Sequence, residues 1–236
     1  MEPVHVRHVI DQAVLLREMP EPVRAALAAA AMVRHYRSGQ YLWGAGDSGD
    51  NLQVVADGMV QIGTMGPDGE EIVLHIAARG DCMGEPSIYA PHRDRQTDAR
   101  AVGRTVIVFI PGDKVRAAIE SSPDAMRLFV RRVSEMCRAH ARRLALAAFH
   151  DARGRLARLI LDLAASHGVP TPRGRRIELV LSQRTLAGLV SLRRESVNRL
   201  VRQLERDGAL RFDDGVITVL KPRILRSALG ADGTVR

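Results

Sequence analysis

The sequence predicts an α+β chain: an antiparallel β-region, then a long helix, then short helices that end in a β-hairpin. Glycine-punctuated apolar runs extend from Gly39 to Ile110, which is typical of short antiparallel strands. From Pro123 to Phe149, apolar residues recur at three- and four-residue steps, as in a long amphipathic helix. Two short helical patterns follow within residues 182–206, before a turn-rich pair of apolar runs.

Composition excludes several classes of protein. The 236 residues are 46% hydrophobic and 26% charged, with a mean hydropathy of −0.09, and no run of about 18 apolar residues could span a membrane. The segment Met1–Asp11 lacks the pattern of a signal peptide, which predicts a cytoplasmic protein. Cys82 and Cys137 are too few for a disulfide framework or a four-cysteine metal site, so no metal is expected.

The net charge of +8 is distributed unevenly along the chain. Residues 1–126 contain 12 Lys and Arg against 17 Asp and Glu, a net charge of −5, whereas residues 127–236 contain 23 against 10, a net charge of +13. Nearly all of the basic residues are arginines, which offer a planar fork to phosphates and guanine edges. If the protein binds a polyanion, the C-terminal half is therefore predicted to be the part that binds it.

The N-terminal region begins with helix and changes to strand. Residues up to about 35 are predicted to be helical, with an alanine-rich stretch from Val23 to Met32. Beyond Gly39 the predicted strands include 51–56, 59–62, 72–76 and 106–110. The turn Pro67-Asp68-Gly69 lies between two of these runs and predicts a β-hairpin. Together these elements predict an antiparallel β-roll.

The long helix is predicted from Pro123 to about Phe149, with an apolar stripe on one face and arginines on the other. About 27 residues exceed the usual length of a globular helix. The stripe either packs on the β-region or pairs with a second subunit, and the length favours a homodimer. After it, Asp151 is expected to cap a helix over Arg153–Ser166, and residues 168–176 are expected to form a basic loop.

Residues 182–206 predict a helix-turn-helix. Ser182 is a suitable N-cap for a helix from Gln183 to Val190, and a second helix runs from Arg193 to Arg206 after a break at Ser191-Leu192. In this motif the second helix enters the major groove, where Arg pairs with guanine and Glu accepts from cytosine. The candidate DNA-binding residues are Arg193, Arg194, Glu195, Asn198 and Arg199, with Gln183 and Arg184 from the first helix.

A predicted hairpin, with runs at 210–212 and 216–219, follows the second helix and completes a winged helix-turn-helix. The predicted domains are therefore residues 1–122 (helices and β-roll), 123–150 (dimerisation helix and hinge) and 151–236 (DNA-binding domain). No P-loop, G-x-S-x-G or H-E-x-x-H motif is present, so an enzyme is not expected. The alternative function is a ligand sensor that acts through protein partners.

The order of these elements resembles the cyclic-AMP receptor protein and FNR family of bacterial regulators, from about Ala31 to Leu220. Three strings support the resemblance: Gly80-Asp-Cys-Met-Gly-Glu85, Phe149-His-Asp-Ala-Arg-Gly-Arg155 and Leu192-Arg-Arg-Glu-Ser-Val197. The resemblance implies that Arg194, Glu195 and Arg199 contact a half-site similar to TGTGA in palindromic double-stranded DNA. It also implies RNA polymerase as a partner, contacted through residues 169–176. Ser191 and Arg193 depart from the family's turn glycine and its Ser/Thr cap.

The resemblance further implies a cyclic-nucleotide site in the β-roll. Gly84, Glu85 and Arg95 match the family's positions for backbone approach, ribose and cyclic phosphate. Gln96 stands where a Ser or Thr assists the phosphate, and His140 replaces a hydroxyl residue that contacts adenine from the long helix. The ligand is therefore expected to be cyclic AMP, another nucleotide, or none.

Haem is a further alternative, with Cys82, His75 or His140 as its ligand, whereas the absence of cysteine before Cys82 excludes the FNR-type iron–sulfur cluster. The expected mechanism is a population shift. A ligand in the β-roll contacts the long helix near His140 and reorients a hinge at Phe149–Asp151. The two recognition helices of the dimer then lie about 34 Å apart, one turn of DNA.

Overall fold

The computed structural model describes residues 5–65, 71–149, 151–190 and 192–229, and for residues 71 and 142–149 it describes the backbone alone. These residues form two compact units, one from residues up to 70 and from 74 to 139, the other from 71–73 and from 140 onward. The predicted turn at 67–69, Ser191 and His150 of the predicted hinge lie outside the described residues. Within the described part of the chain, no helix is long and apolar enough to cross a membrane.

The first unit is a β-roll flanked by short helices. Its elements in chain order are α1 (Val6–Gln12), α2 (Glu21–Ala30), β1 (Met32–Tyr36), β2 (Tyr41–Trp43), β3 (Asn51–Met65), β4 (Glu71–Ala78), β5 (Cys82–Met83), α3 (Glu85–Ile88), β6 (Asp98–Pro111) and α4 (Gly112–Glu120). The sheet order is β1-β6-β3-β4, with β2 on β6 and β5 on β3. Strand β6 pairs antiparallel with β1, β2 and β3. The predicted antiparallel β-roll is confirmed.

The predicted C-terminal end of the N-terminal helical region is wrong. The alanine-rich stretch was expected to continue as helix to residue 35, but α2 ends at Ala30 and β1 begins at Met32. The reason is non-local: β1 satisfies its backbone groups on β6, where Met32 faces Phe109 and Tyr36 faces Thr105.

Two apolar clusters stabilise the first unit. The larger joins α1, α2 and α4 to the sheet, with Ile10, Leu27 and Ile119 fully buried. The smaller surrounds Trp43 and includes Val55 and Ile107. Burying one such side chain contributes about 1.5–3 kcal/mol. The second cluster also supports a buried arginine, because the guanidinium of Arg95 stacks on the ring of Trp43.

The long helix, α5, extends from Pro123 to Phe149, as predicted. Its first turns belong to the apolar core through Ala125 and Phe129, which are 0% and 4% exposed. Farther along, the stripe is only partly covered: Val133 still packs against this core at its edge, whereas Val130 is 55% exposed and Cys137 is exposed as well. Within the first unit the stripe is therefore fully buried only near its N-terminal end.

The second unit is helical with a small sheet. Its elements are α6 (Ala152–His167), β7 (Gly168–Thr171), β8 (Gly174–Ile177), α7 (Gln183–Leu189), α8 (Arg194–Arg206), β9 (Leu210–Asp213), β10 (Val216–Val219) and α9 (Pro222–Ser227). The strands are ordered β7-β8-β10-β9. As expected, Asp151 caps α6: its carboxylate accepts from the backbone N–H of Gly154 at 2.7 Å.

The expectation of a basic loop over residues 168–176 is wrong. This segment forms the hairpin β7–β8, whose second strand pairs with β10. Proline disfavours a central strand, but Pro170 lies in β7, an edge strand, where a missing N–H leaves no partner unsatisfied. Gly174 supplies the turn with φ +144°, and a Cβ there would meet the carbonyl oxygen of Val219 at 2.1 Å.

Candidate functional sites

The paired helices α7 and α8 are held in a fixed relation by local contacts. The Ser182 hydroxyl accepts from the backbone N–H of Thr185 at 3.0 Å, which caps α7 as predicted. The backbone N–H of Leu192 donates to the carbonyl of Ala187 at 3.0 Å, so the turn folds back on α7. The inner face of α8 is buried through Val197, Leu200, Val201 and Leu204. This apolar face leaves the opposite face of α8 for contacts with a partner.

The outer face of α8 contains most of the candidate DNA-binding residues. The predicted residues Arg193, Arg194, Glu195 and Arg199 are exposed, and Asn198 is half-buried. Arg193 occupies the N-cap without a side-chain cap, so the first N–H groups of the helix receive no bond from it. Of the candidates on α7, Arg184 is exposed and Gln183 is half-buried.

An open depression of about 680 Å³ runs along this face of α8. It is lined by Glu195, Asn198, Arg199, Arg202, Glu205 and Arg206. Arg202 and Arg206 were missed by the sequence analysis, although they follow Asn198 and Arg199 at helical spacings that place them on the same face. Within the described chain, Arg194, Arg199 and Arg202 make no ion pair, so their guanidinium groups are available to an anion.

The predicted wing is the hairpin β9–β10. Its turn is built on Asp214 and Gly215, with φ +47° and +81°, which Asp tolerates and Gly adopts freely. The Glu205 carboxylate of α8 accepts from the backbone N–H of Phe212 at 2.8 Å and so joins the helix to the wing. Arg211 pairs with Asp213 at 3.1 Å. The wing is therefore positioned by α8, and its turn is acidic.

In the first unit, Gly84 follows β5 and is the N-cap of α3, which begins at Glu85. Its backbone lies in the left-handed region, with φ +96°. A Cβ at this position would lie 2.6 Å from both Arg95 Nη1 and the carbonyl oxygen of Asn51. Only glycine allows the backbone to approach the guanidinium this closely. The structure therefore brings together the predicted residues Gly84, Glu85 and Arg95.

Arg95 is buried, with 4% exposure. Its Nη2 donates to the side-chain Oδ1 of Asn51 at 2.6 Å and to the main-chain oxygen of Asn51 at 3.1 Å. Its guanidinium carbon lies 4.4 Å from the ring centroid of Trp43, a cation–π contact. Burial lowers the pKa of Arg95 to about 10, opposed by the nearby Glu85 carboxylate, so Arg95 stays charged at neutral pH.

Glu85 is 2% exposed, and its Oε1 accepts from Nε of Arg132 on α5 at 3.3 Å. Sequence analysis placed Arg132 on the charged outer face of the long helix and missed this contact, because the two residues are 47 positions apart. The site thus contains two guanidinium groups and one buried carboxylate. The excess positive charge makes this cassette, defined by Gly84, Glu85, Arg95 and Arg132, suited to an anion.

Two predicted ligand residues are placed differently. Gln96 is exposed, and its Nε2 donates to Asp94 at 2.7 Å. His140 is exposed on α5 and falls in the second unit, so its contact with a ligand stays a prediction. For the haem alternative, burial raises the pKa of the Cys82 thiol far above its ordinary value, which disfavours the thiolate that binds iron.

An antiparallel β-roll with a buried anion cassette, a long helix and a winged helix-turn-helix together define a DNA-binding regulator with a small-molecule domain. The model of the cyclic nucleotide-binding domain matches residues 33–122, and that of the Crp-like helix-turn-helix domain matches residues 154–228. The chain is 30% identical over 189 residues to a CRP-like cAMP-activated global transcriptional regulator from Mycobacterium tuberculosis, covering 80% of this chain and 84% of that protein. The chain belongs to the CRP/FNR family of transcription regulators.

Two solved structures show the same fold. The structure of FixK2 from Bradyrhizobium japonicum has a TM-score of 0.76 at 19% identity and covers 85% of this chain and 98% of its own. The c-di-GMP responsive regulator CLP from Xanthomonas campestris has a TM-score of 0.70 at 24% identity and covers 85% of this chain and 99% of its own. The predictions of fold class, family and DNA-binding regulator are confirmed, and the protein is a regulator and not an enzyme.

Proposed function

We propose that this regulator binds palindromic duplex DNA as a homodimer, with TGTGA-like half-sites, and that cyclic AMP or a related nucleotide at the cassette controls its binding. The observation that carries the DNA half of the proposal is the row of arginines on the outer face of α8 that form no ion pair with any residue the structure describes. Arg194 and Arg199 supply bidentate donors for guanine, and Glu195 supplies an acceptor for cytosine. Arg202, one turn farther along, supplies a phosphate contact.

The dimer is proposed from the uncovered stripe of α5. Val130 is 55% exposed and Cys137 is exposed, and beyond Phe129 the stripe is at most partly buried within the first unit, as at Val133. A second copy of α5 would bury these apolar side chains in a two-stranded seam. Two symmetric subunits also present two recognition helices, which matches a palindromic site with half-sites about 34 Å apart.

The ligand half of the proposal rests on the charge of the cassette. Arg95 and Arg132 surround a single buried carboxylate, and a phosphate would neutralise the excess charge through charge-assisted hydrogen bonds to Arg95. Glu85 is then the acceptor for a ribose hydroxyl. Since Arg132 belongs to α5, a ligand that engages Glu85 alters the ion pair that joins the cassette to the long helix. The helix continues unbroken to Phe149, so a change in this ion pair can be transmitted along α5 toward the DNA-binding unit.

A different nucleotide is the second candidate ligand. Gln96 bonds to Asp94 where the family pattern has a hydroxyl for the phosphate, which favours a ligand other than cyclic AMP. The similar regulator CLP is c-di-GMP responsive. RNA polymerase is the proposed protein partner, through the basic hairpin β7–β8, in which Arg173, Arg175 and Arg176 are exposed. As a regulator that binds DNA, the protein is expected to work in the bacterial cytoplasm.

Fluorescence anisotropy with a labelled TGTGA–TCACA duplex tests the proposal directly. We expect binding about 10³-fold tighter than to a shuffled duplex at the same salt concentration, with further tightening by cyclic AMP but not by adenosine. Cyclic GMP and c-di-GMP in parallel titrations identify an alternative ligand. Equal affinity for both duplexes, with and without every nucleotide, would contradict the proposed TGTGA-like half-sites and the proposed nucleotide control.

A further inference from the structure

Three buried polar atoms beside the cassette lack a hydrogen-bond partner among the described residues. They are Trp43 Nε1, Gln53 Oε1 and Arg95 Nε, in side chains whose residues are 7%, 3% and 4% exposed. Buried polar groups are nearly always paired, since an unpaired one loses its bonds to water without replacement. Two of the three are N–H donors, and they belong to the stacked pair Arg95 and Trp43. Unused donors around a buried cation indicate a place for an acceptor that carries negative charge.

Asn51 at the start of β3 occupies part of that place. Its Oδ1 accepts from Arg95 Nη2 at 2.6 Å and from Gln53 Nε2 at 2.8 Å, and its main-chain oxygen accepts from the same Arg95 Nη2 at 3.1 Å. Both oxygens of Asn51 are neutral. They satisfy one nitrogen of the guanidinium and leave Nε without a partner, so they pair with Arg95 incompletely.

We propose that Asn51 is an internal occupant of the ligand site: its amide oxygen holds Arg95 in place of a phosphoryl oxygen, and the ligand displaces it. This proposal rests on the proposed control by a nucleotide and names the residue that sets its affinity. A phosphate oxygen wins the exchange because hydrogen bonds between a guanidinium and an anion are about twice as strong as those to a neutral acceptor. A phosphate can also accept from Nε and Nη2 together, which an amide oxygen on one side cannot do.

The required ligand class is therefore a phosphate ester with at least one anionic oxygen. A neutral nucleoside gains nothing over Asn51, because it only replaces one neutral acceptor with another. Asn51 Oδ1 also accepts from Gln53 Nε2, so this oxygen has a second partner to keep when a ligand takes its place on Arg95.

Trp43 provides the measurement, since it is the only tryptophan in the chain and lies beneath Arg95. The experiment titrates the full-length protein with cyclic AMP, cyclic GMP, c-di-GMP and adenosine, and follows tryptophan fluorescence. The variants are Asn51→Ala, which removes the competing oxygen, and Asn51→Asp, which gives Arg95 a permanent anionic partner. Gln40→Ala is the matched control, because that exposed amide accepts from the backbone N–H of Arg37, its one side-chain hydrogen bond among the described residues.

We expect Asn51→Ala to bind a phosphorylated ligand about tenfold tighter than the wild type, and Asn51→Asp to bind it at least tenfold weaker. Gln40→Ala should bind as the wild type does. An Asn51→Ala protein that binds equally or more weakly overturns the proposal, because removal of a competing group must increase the affinity for the ligand. A merely structural residue would not increase affinity when it is removed. If Asn51→Ala does not fold, as judged by circular dichroism, Asn51→Ser replaces it, since a hydroxyl is too short to reach Nη2.

The outcomes separate this proposal from the proposed function. Binding by the wild type with no gain in Asn51→Ala contradicts the internal occupant and leaves nucleotide control standing. Binding by Asn51→Ala alone supports the internal occupant and contradicts nucleotide control of the natural protein. No response of either protein to any phosphorylated ligand overturns the displacement, and anisotropy with the TGTGA duplex then reports on DNA binding independently.

Discussion

Arg132 of the long helix donates Nε to the buried carboxylate of Glu85 at 3.3 Å. Glu85 is 2% exposed, whereas the Arg132 side chain is 24% exposed, so the arginine connects the interior of the cassette to the outer surface of α5. The pair makes α5 part of the cassette.

Arg132→Ala is expected to lower the free energy of unfolding by about 1–3 kcal/mol, because it leaves the Glu85 carboxylate buried and without its partner. Urea denaturation followed by circular dichroism measures the change. The matched control is Arg131→Ala, whose partner Glu18 is exposed, and which should cost less than about 1 kcal/mol. Equal losses in the two variants would show that Glu85 does not depend on Arg132.

Gly84→Ala is expected to destabilise the first unit and to abolish ligand binding. The backbone there has φ +96°, and the added Cβ would lie 2.6 Å from Arg95 Nη1. The conformational strain alone costs about 1–3 kcal/mol. Gly39→Ala is the control, since Gly39 has φ +81° but nothing within 4 Å of an added Cβ. The difference in free energy of unfolding between the two variants measures the clash between the added Cβ and Arg95. No difference would contradict the close packing of the Gly84 backbone against Arg95.

Arg194→Ala and Arg202→Ala are expected to weaken DNA binding in different ways. The first removes a proposed base contact, so it should cost about 1–3 kcal/mol and relax specificity at one base pair. The second removes a proposed phosphate contact, so it should weaken binding to every sequence and reduce the slope of log affinity against log salt by about 1. Anisotropy with single-base variants of the duplex distinguishes them, with the exposed Arg37→Ala as control. If Arg194→Ala leaves specificity unchanged, the direct-contact assignment is wrong.

Asp50 is expected to contribute acid-sensitive stability to the first unit. Its carboxylate accepts from Arg116 Nη2 at 3.2 Å and from Arg93 Nη1 at 3.2 Å. The hydrogen bond from Arg116 holds the pKa of Asp50 below its usual range. A lowered folded-state pKa means that the stabilisation is complete above the unfolded pKa of about 4 and is lost as the pH falls through the folded-state value.

Asp50→Asn should therefore lower the free energy of unfolding at pH 7, by about 1 kcal/mol for a partly exposed pair. The variant and the wild type should converge as the pH falls through the lowered folded-state pKa of Asp50, where the native carboxylate becomes protonated. Urea midpoints at pH 7, 5 and 3 test this. A constant difference across the three values would show that the charge of Asp50 is not the source of the stabilisation.

Local patterns predicted most of the elements that carry function. The bounds of α5 followed from helical spacing after Pro123, and the cap at Ser182 followed from residue type at the start of α7. The turn glycine Gly84 and its neighbour Glu85 followed from the resemblance of one short string. These features depend on residues within about one helical turn of each other, so a linear sequence contains the information that forms them.

The features that prediction missed depend on residues far apart in the chain. The segment that forms β7–β8 is predicted as a loop because it is rich in proline and glycine. A strand tolerates a proline such as Pro170 at the edge of a sheet, and β7 is at an edge only because β8 pairs with the distant strand β10. Helix is predicted up to about residue 35, whereas residues from Met32 onward form β1, whose pairing partner lies in β6, beyond residue 104. In both cases long-range backbone pairing overrode local propensity.

The sequence by itself determined that this chain has an antiparallel β-domain, a long helix and a winged helix-turn-helix, because periodicity, caps and turn residues are local. Only the tertiary structure decided what surrounds Arg95. Asn51 lies 44 residues from Arg95, Arg132 lies 47 residues from Glu85, and Trp43 reaches the site from strand β2. Burial makes their charges and hydrogen bonds interdependent, and burial is a property of the packed fold rather than of any one segment.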